Sequence, residues 1–262
     1  MMQPGKRTDK RMGGDMQQAW SGRSVLVTGA SHGIGRATAE AFARRGAAVV
    51  VHYGADRTAA EEVVRGIASA GGRAWALGAD LATAEACREL VARSWELAGP
   101  LSSAALCHGI VRRGGWENVD ETAWDDVLAI NLKAVFFTTQ ALAVRMREAG
   151  GGSLVLVASM RALEGAPSSP HYAAAKAGVV SLAKSAARAF APTVRVNALS
   201  PGYVDTRLQA GLSAEQRERI LEGIPLARMA SPDEIARSIV ALAGDELSYV
   251  TGQTILADGG RI

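Results

Sequence analysis

Short runs of β-branched and apolar residues alternate along this chain with longer segments of helical periodicity, from Ser24 to the C-terminal region. This alternation is typical of parallel strands joined by crossover helices. We predict strands at 24–28, 47–52, 73–77, 102–107, 153–158, 194–198 and 254–257. We predict helices at about 34–45, 57–70, 84–97, 122–148, 171–190, 206–222 and 232–243. The expected fold class is α/β, a single-domain doubly wound parallel sheet of seven strands with helices on both faces.

Length and composition fit one folded unit. The chain has 262 residues, of which 48% are hydrophobic, enough for one sizeable core. We expect a flexible extension at 1–20, in which Met12 and Met16 are alternative starts, and one domain at 21–262. The first twenty residues lack the apolar core of a signal peptide, and we find no later stretch that reaches about 18 apolar residues. We therefore expect a cytoplasmic protein.

Charge and cysteine content exclude several function classes. Most of the formal net charge of +3 comes from the first twenty residues, and no basic stripe with interleaved aromatic residues follows. Nucleic acid and membrane surfaces are therefore not expected partners. Cys87 and Cys107 are the two cysteines, without the spacing of a metal site, so we expect reduced thiols and no bound metal.

A glycine-rich turn follows the first predicted strand and opens the first helix, in the order Thr28-Gly29-Ala30-Ser31-His32-Gly33-Ile34-Gly35. Glycines here let the backbone turn sharply and approach a pyrophosphate, whose charge is stabilised by free N–H groups at the helix N-terminus. The spacing Gly-x-x-x-Gly-x-Gly differs from the common dinucleotide fingerprint. A simple tight turn is the alternative interpretation.

Tyr172 and Lys176 stand four residues apart on a predicted helix, so their side chains share one face. A free phenol has a pKa near 10, which is too high for proton exchange at neutral pH. A neighbouring ammonium group would lower that pKa. We therefore expect Lys176 to activate Tyr172.

The glycine turn matches the Thr-Gly-x-x-x-Gly-x-Gly signature of the short-chain dehydrogenase/reductase family, and the chain resembles that family from about Ser21 to Gly260. It is similar to 3-oxoacyl-carrier-protein reductases and to sugar-acid (gluconate-type) dehydrogenases. The resemblance implies a Rossmann-type fold. It also implies an NAD(P)(H)-dependent oxidoreductase that transfers a hydride between nicotinamide and a carbonyl or secondary alcohol, with a small-molecule substrate.

The catalytic set implied by this resemblance is Asn131, Ser159, Tyr172 and Lys176. Tyr172 would be the general acid/base, and the Ser159 hydroxyl would hydrogen-bond the substrate oxygen as that oxygen gains charge. Asn131 would hold a water through which Lys176 exchanges protons with solvent.

The resemblance also implies the cofactor contacts. These are Gly29, Ser31, His32, Gly33, Ile34, Gly35, His52, Tyr53, Asp80, Leu81, Cys107, Gly109, Tyr172, Lys176, Pro201, Gly202, Val204 and Thr206. Tyr53 occupies the position where NAD-using relatives carry an acid. With Arg57 and His32 nearby, this favours NADP, whose 2′-phosphate a carboxylate would repel. NAD stays possible because Asp56 follows closely, although we expect Asp56 to cap a helix.

One segment departs from the family pattern. Leu106-Cys107-His108-Gly109 stands where the family usually has Asn-Asn-Ala-Gly, so packing must replace amide hydrogen bonds there. His108 is either a substrate contact or a structural residue. Similarly, Arg112 and Arg113 either receive an anionic substrate group or are solvated.

The substrate pocket would be lined by loops at 110–117, 160–171 and 206–225, the last a mobile lid. Two alternatives stay open: a non-redox dehydratase or epimerase, and a cofactor-sensing protein of the same fold. The first would need another acid or base, and Glu164 is the only carboxylate at 160–171. A homotetramer is implied by the resemblance, through the helices at 122–148 and 171–190.

Overall fold

The computed structural model describes residues 18–262. Seven parallel strands form one sheet in the order β3-β2-β1-β4-β5-β6-β7. They are β1 Ser24–Thr28, β2 Ala48–Tyr53, β3 Arg73–Gly78, β4 Leu101–Leu106, β5 Gly152–Val157, β6 Val194–Pro201 and β7 Thr254–Ala257. The predicted α/β class and the seven strands are confirmed, and β6 runs three residues beyond its predicted end at 198.

Ten α-helices and three short helical turns of the described chain connect or flank these strands. The α-helices are α1 Gly33–Arg44, α2 Arg57–Ser69, α3 Ala84–Ala98, α4 Gly115–Asn118, α5 Glu121–Leu128, α6 Ala134–Glu148, α7 Arg161–Glu164, α8 Pro170–Phe190, α9 Ala214–Glu222 and α10 Pro232–Ala243. A π-helical turn at Ala129–Lys133 joins α5 to α6, and short 3₁₀ turns lie at Arg207–Gln209 and Asp245–Leu247. The short helices α4 and α7 were not predicted.

Two predicted helices are wrong as continuous elements. The segment 122–148 is interrupted by the π turn, in which Asn131 donates its side-chain amide to the carbonyl of Val127 four residues earlier. A side chain that bonds the helix backbone in this way disturbs the regular ladder. The segment 206–222 becomes a 3₁₀ turn followed by α9, because Ser213 and Gln216 form a capping box that starts a new helix.

Helices cover both faces of the sheet. One core layer lies between the sheet and α1, α2 and α10, and the other lies between the sheet and α3, α6 and α8. Strand residues alternate between the two layers, as Val25 and Leu26 do in β1. This arrangement confirms the doubly wound architecture.

The predicted N-terminal extension falls mostly outside the described residues, which begin at residue 18. Trp20, which we placed in that extension, is 1% exposed and packs edge-on against Phe42 of α1 at 4.8 Å. An indole buried in this way contributes to the core. Trp20 therefore belongs to the folded domain.

One helical stretch, Glu121–Glu148, is long and apolar enough to cross a membrane by length and composition. Our expectation concerned an uninterrupted apolar stretch, and this segment contains Asp125, Asp126 and Lys133. Leu142, Ala143 and Met146 of α6 are buried in the core layer that also contains residues of α3 and α8. A core helix of this kind passes the same test.

The sheet order reverses between β1 and β4, whose crossovers leave on opposite faces. In open parallel sheets, ligands bind outside the carboxyl ends of the strands at such a reversal. The ends of β1, β4, β5 and β6 meet there.

Candidate active site

The glycine turn after β1 is tightly closed. A Cβ placed on Gly35 would lie 2.2 Å from the carbonyl oxygen of Gly29, and one placed on Gly29 would lie 2.8 Å from Cα of His108. Gly29 and Gly33 have positive φ angles of 61° and 53°. A side chain at Gly29 or Gly35 would displace backbone, and the positive φ angle of Gly33 favours glycine there. The His32 side chain makes no capping hydrogen bond to α1, so within the described chain its first-turn N–H groups face outward for an anionic group such as a pyrophosphate.

His52 supports this turn from behind. Its Nδ1 accepts from the backbone N–H of Gly29 at 3.1 Å, and its Nε2–H donates to the carbonyl of Ala79 at 3.0 Å. These two bonds define the tautomer, and burial lowers the pKa of the ring. His52 therefore positions the turn by hydrogen bonds to protein groups.

Ser159, Tyr172 and Lys176 converge on one cleft. Ser159 follows β5, while Tyr172 and Lys176 lie one turn apart on α8. The Lys176 ammonium is buried, donates to the carbonyl of Val157 at 2.8 Å and lies 5.8 Å from the centre of the Tyr172 ring. Desolvation lowers the pKa of Lys176 to about 8, despite an opposing effect of Cys107.

The expectation that Lys176 lowers the pKa of Tyr172 does not hold in this structure. Burial raises the pKa of the phenol, and the opposing influences are the Ser159 hydroxyl and the charge of Arg161. The ammonium group instead points at the end of β5. Desolvation of the phenolate thus dominates its titration.

Asn131 has a different surrounding from the one we expected. Its amide nitrogen donates to the carbonyls of Ile110 and Val127, at 2.9 and 3.0 Å, and its oxygen accepts from the N–H of Ile110 at 3.1 Å. Both side-chain donors are thus bonded to backbone, and the predicted water-holding role of this amide is not what its contacts show. Asn131 ties the loop after β4 to the π turn. A Cβ on Gly109 would lie 2.5 Å from the Asn131 oxygen and 3.5 Å from Nζ of Lys176.

His108 is buried at the floor of the cleft. The hydroxyl oxygen of Thr28 accepts from the N–H groups of Cys107 and His108, at 3.1 and 3.4 Å, and lies 2.7 Å from Nδ1 of His108. Since the hydroxyl proton is free to point at the ring, Nδ1 accepts and Nε2 carries the proton. Within the described chain, Nε2 has no hydrogen-bond partner. Burial lowers the pKa of His108 to about 3, so the ring is neutral.

Leu106 and Cys107, which stand where the family usually has two asparagines, pack against the core in place of amide hydrogen bonds, as predicted. Leu106 is fully buried in the core layer beneath α3 and α6, and Cys107 packs against the opposite layer. Burial raises the pKa of the Cys107 thiol to about 12, which keeps it protonated.

The cleft has a volume of about 600 Å³. Residues from all three predicted loops line it, together with the ends of the strands. Its predicted site residues are Ile34, Cys107, Gly109, Ser159, Tyr172, Lys176, Pro201, Gly202, Val204 and Thr206. Gly29, Ser31, His32, Gly33, Gly35, His52, Tyr53, Asp80, Leu81 and Asn131 lie outside its lining, around the glycine turn, the ends of β2 and β3, and the π turn.

Several predicted contacts near β2 and β3 are engaged with protein groups. The Tyr53 ring packs over Gly78, Asp80 accepts from the N–H of Ala82 at 3.1 Å, and the Leu81 side chain is buried in the core. Asp56 caps α2 through the N–H of Ala59 at 3.0 Å, as expected. It also lies 2.7 Å from Nε2 of His32.

Six cleft-lining residues of the segment 206–225 were not predicted individually. These are Leu208, Gln209, Leu212, Gln216, Arg219 and Ile220. No periodic pattern in this segment distinguishes these six residues from their neighbours, so only their placement at the cleft identifies them.

A family model described as Enoyl-(Acyl carrier protein) reductase matches residues 29–261. An L-rhamnose 1-dehydrogenase (NAD(P)(+)) from Azotobacter vinelandii is 41% identical over 245 residues, which cover 91% of this chain and 96% of that protein. The chain belongs to the short-chain dehydrogenase/reductase family. A 3-oxoacyl-acyl-carrier-protein reductase FabG from Staphylococcus aureus is 37% identical over 239 residues, covering 91% of this chain and 97% of that protein.

The fold agrees with this family. A short-chain dehydrogenase/reductase from Serratia marcescens, solved as a double mutant, matches with a TM-score of 0.88 and 31% identity, over 93% of this chain and 99% of that one. This short-chain dehydrogenase/reductase is accordingly an oxidoreductase that acts on a CH–OH or C=O group with NAD or NADP.

Proposed function

We propose that this enzyme uses Tyr172 as the general acid/base for interconverting a carbonyl and a secondary alcohol, with Asn131, Ser159 and Lys176 completing its catalytic set. The observation that carries the proposal is the convergence of Ser159, Tyr172 and Lys176 on one cleft beside the glycine turn. The nicotinamide, when bound, supplies or accepts the hydride.

Each residue has a role that follows from its surroundings. Tyr172 holds the proton that the substrate oxygen gains in reduction and loses in oxidation. Ser159, whose oxygen accepts from the N–H of Arg161 at 3.2 Å, would donate its hydroxyl proton to that substrate oxygen. Lys176 is a buried ammonium with a pKa of about 8, so it loses its proton readily near neutral pH. Asn131 holds Ile110 and thereby the floor of the cleft.

The glycine turn, Ile34, Gly109, Cys107 and the segment Pro201–Thr206 would hold the cofactor. The cradle at Gly29 and Gly35 admits no side chain, and the first turn of α1 points N–H groups outward, which suits a pyrophosphate. The remaining assigned contacts, including Ser31, His52, Tyr53, Asp80 and Leu81, surround the adenosine end in this proposal.

We propose NADP as the preferred cofactor, with NAD as the second. Tyr53 ends β2 without a carboxylate, and Asp56 is committed to capping α2 and to His32. Arg207 lies 3.0 Å from His32, which adds positive charge beside the turn. Arg57 contributes less than we expected, because it pairs with Glu61 at 2.6 Å. A higher kcat/KM with NADPH than with NADH supports this preference, and the reverse order contradicts it.

The decisive experiment follows nicotinamide absorbance over ketones, oxoacyl thioesters and keto-sugar acids. Tyr172→Phe should abolish turnover while leaving cofactor binding measurable. Tyr249→Phe is the matched control, since that ring is fully exposed and does not line the cleft. Equal turnover in the two variants would refute the role of Tyr172. Dehydratase or epimerase chemistry would appear as substrate loss without a net change in nicotinamide absorbance.

We also propose a cytoplasmic homotetramer. Exposed apolar side chains on α6 and β7, namely Phe136, Ile255 and Leu256, support association of copies through these elements. Light scattering after gel filtration tests the assembly, and a monomeric mass would contradict it.

A further inference from the structure

All charged side chains that line the cleft within residues 18–262 are cationic. They are Arg113, Arg161, Lys176 and Arg219, and no aspartate or glutamate joins them in the lining. A cleft lined by charges of one sign raises the local concentration of ligands of the opposite sign. The four cations differ, however, in how they are engaged.

Two of these cations already have partners in the protein. Lys176 donates to the carbonyl of Val157. Arg161 pairs with Glu164 at 2.8 Å and donates to the Tyr203 hydroxyl at 2.7 Å. Arg161 and Lys176 are therefore already engaged within the protein, and we do not assign either of them to an anionic group of the substrate.

Arg113 and Arg219 differ from their immediate neighbours. Arg112 pairs with Asp126 at 2.7 Å, and Arg217 pairs with Asp205 at 3.3 Å. Neither Arg113 nor Arg219 has a carboxylate partner among the described residues, and both side chains are exposed at the cleft. Arg112 and Arg217 thus form surface ion pairs, whereas Arg113 and Arg219 line the cleft.

The two unpaired arginines belong to different walls. Arg113 lies in the loop after β4, which is held in place where the N–H groups of Gly114 and Gly115 donate to the carbonyl of Ser168 at 3.1 Å. Arg219 lies on α9, the helix of the predicted lid. These two segments also line the cleft with the apolar side chains of Val111, Leu208, Leu212 and Ile220 and with the polar Gln209 and Gln216.

We infer that the substrate of this enzyme is an oxo or hydroxy compound with an apolar body and an anionic group, carboxylate or phosphate, that Arg113 and Arg219 bind at the cleft mouth. The inference rests on the proposed function, because it places the reacting carbonyl at Tyr172 and Ser159. Guanidinium groups recognise carboxylates and phosphates through paired N–H donors, and Arg113 and Arg219 line the cleft from two different elements.

Binding of this kind has a measurable size. A hydrogen bond to a charged group contributes enough that its loss costs about tenfold or more in affinity. Because both side chains are exposed, added salt should screen part of the attraction. Uncharged analogues should gain nothing from either arginine.

The experiment compares oxo acids of graded chain length with their methyl esters, and oxo phosphates with the corresponding alcohols. Turnover is measured for the wild type, Arg113→Gln, Arg219→Gln and the double variant. Arg112→Gln and Arg217→Gln are matched controls, one residue away in the same loop and two residues away in the same helix. Calorimetric titration with an unreactive carboxylate of matched length measures binding without turnover.

The expected result is a kcat/KM for the anionic compounds that exceeds the uncharged ones by about tenfold or more, and that falls by about that factor in each cleft variant. The control variants keep the preference. The carboxylate and phosphate arms show which anion is preferred. Equal use of acids and esters by the wild type, or the same loss in Arg217→Gln as in Arg219→Gln, would overturn the inference.

A best substrate that is a neutral polyhydroxy ketone would overturn it as well. If no compound is turned over but the carboxylate still binds in an Arg113- and Arg219-dependent manner, the proposed redox function fails while the anion site stands. The two failures are therefore distinguishable.

Discussion

Acid should destabilise this protein in part through His108, a buried residue at the floor of the cleft. The ring is 7% exposed, its Nδ1 accepts from Thr28, and burial lowers its pKa to about 3. In the unfolded chain the same ring has a pKa of about 6.5. Between these values the unfolded chain binds more protons than the native one, so stability falls as pH falls.

The magnitude follows from the two pKa values. The pKa of this ring is about 6.5 in the unfolded chain and about 3 in the folded protein. Proton linkage then lowers the free energy of unfolding by roughly 2 kcal/mol between about pH 7 and pH 5, and by about 3 kcal/mol at pH 4. His108→Asn keeps an acceptor for Thr28 but cannot titrate. It should abolish this part of the pH dependence, whatever its constant effect on stability.

Urea denaturation followed by tryptophan fluorescence measures the effect, with the free energy of unfolding of both proteins determined from about pH 8 to pH 5. Above about pH 7 the two curves should run parallel, which is the internal control. Below that pH the wild type should lose stability faster, approaching 1.4 kcal/mol per pH unit. Curves that stay parallel down to pH 5 would refute the conclusion that the fold holds His108 neutral.

Three further predictions concern the same region. Gly109→Ala should lose turnover and about 1–3 kcal/mol of stability, because its Cβ would lie 2.5 Å from the Asn131 oxygen. Gly66→Ala is the control, since the Cβ added there in α2 meets open space. An equal loss of stability in the two variants would contradict this prediction. Thr28→Val should lower the free energy of unfolding, measured by urea denaturation, by about 1–3 kcal/mol, because it leaves the N–H groups of Cys107 and His108 unpaired. Thr28→Ser keeps the hydroxyl and should recover most of that loss. A valine variant as stable as the wild type would contradict this prediction. The pKa of Lys176 is about 8 in the folded protein and about 10.4 in the unfolded chain. The wild type should therefore gain stability relative to Lys176→Met as pH rises through that interval. A difference in unfolding free energy that stays constant with pH would show that the ammonium is not desolvated.

The sequence predicted those parts of the fold that depend on local pattern. Apolar runs and helical periodicity located all seven strands and the long helices, because each buries one face or both against a neighbouring layer. The cleft residues Ser159, Tyr172 and Lys176 were also found, since their spacing matches a known family. Their convergence follows from the parallel sheet, which brings strand ends to one edge.

The interruptions of two predicted helices were not predictable in the same way. The π turn contains Asn131, whose amide bonds Ile110, twenty-one residues earlier, as well as the helix backbone. Hydropathy along 122–148 shows no break there, because the competing bond comes from a distant loop. Similarly, the burial of Trp20 depends on Phe42, outside its own segment.

By itself, the sequence determined the α/β class, the strand and helix order, the glycine turn and the identity of the residues that meet in the cleft, because these depend on periodicity and local backbone chemistry. Only the tertiary structure decided how those residues are engaged: that burial raises the pKa of Tyr172, that His108 is neutral, and that Arg112 pairs with Asp126 while Arg113 faces the cleft. Desolvation and charge pairing depend on distances between residues far apart in the chain, and those distances exist only after folding.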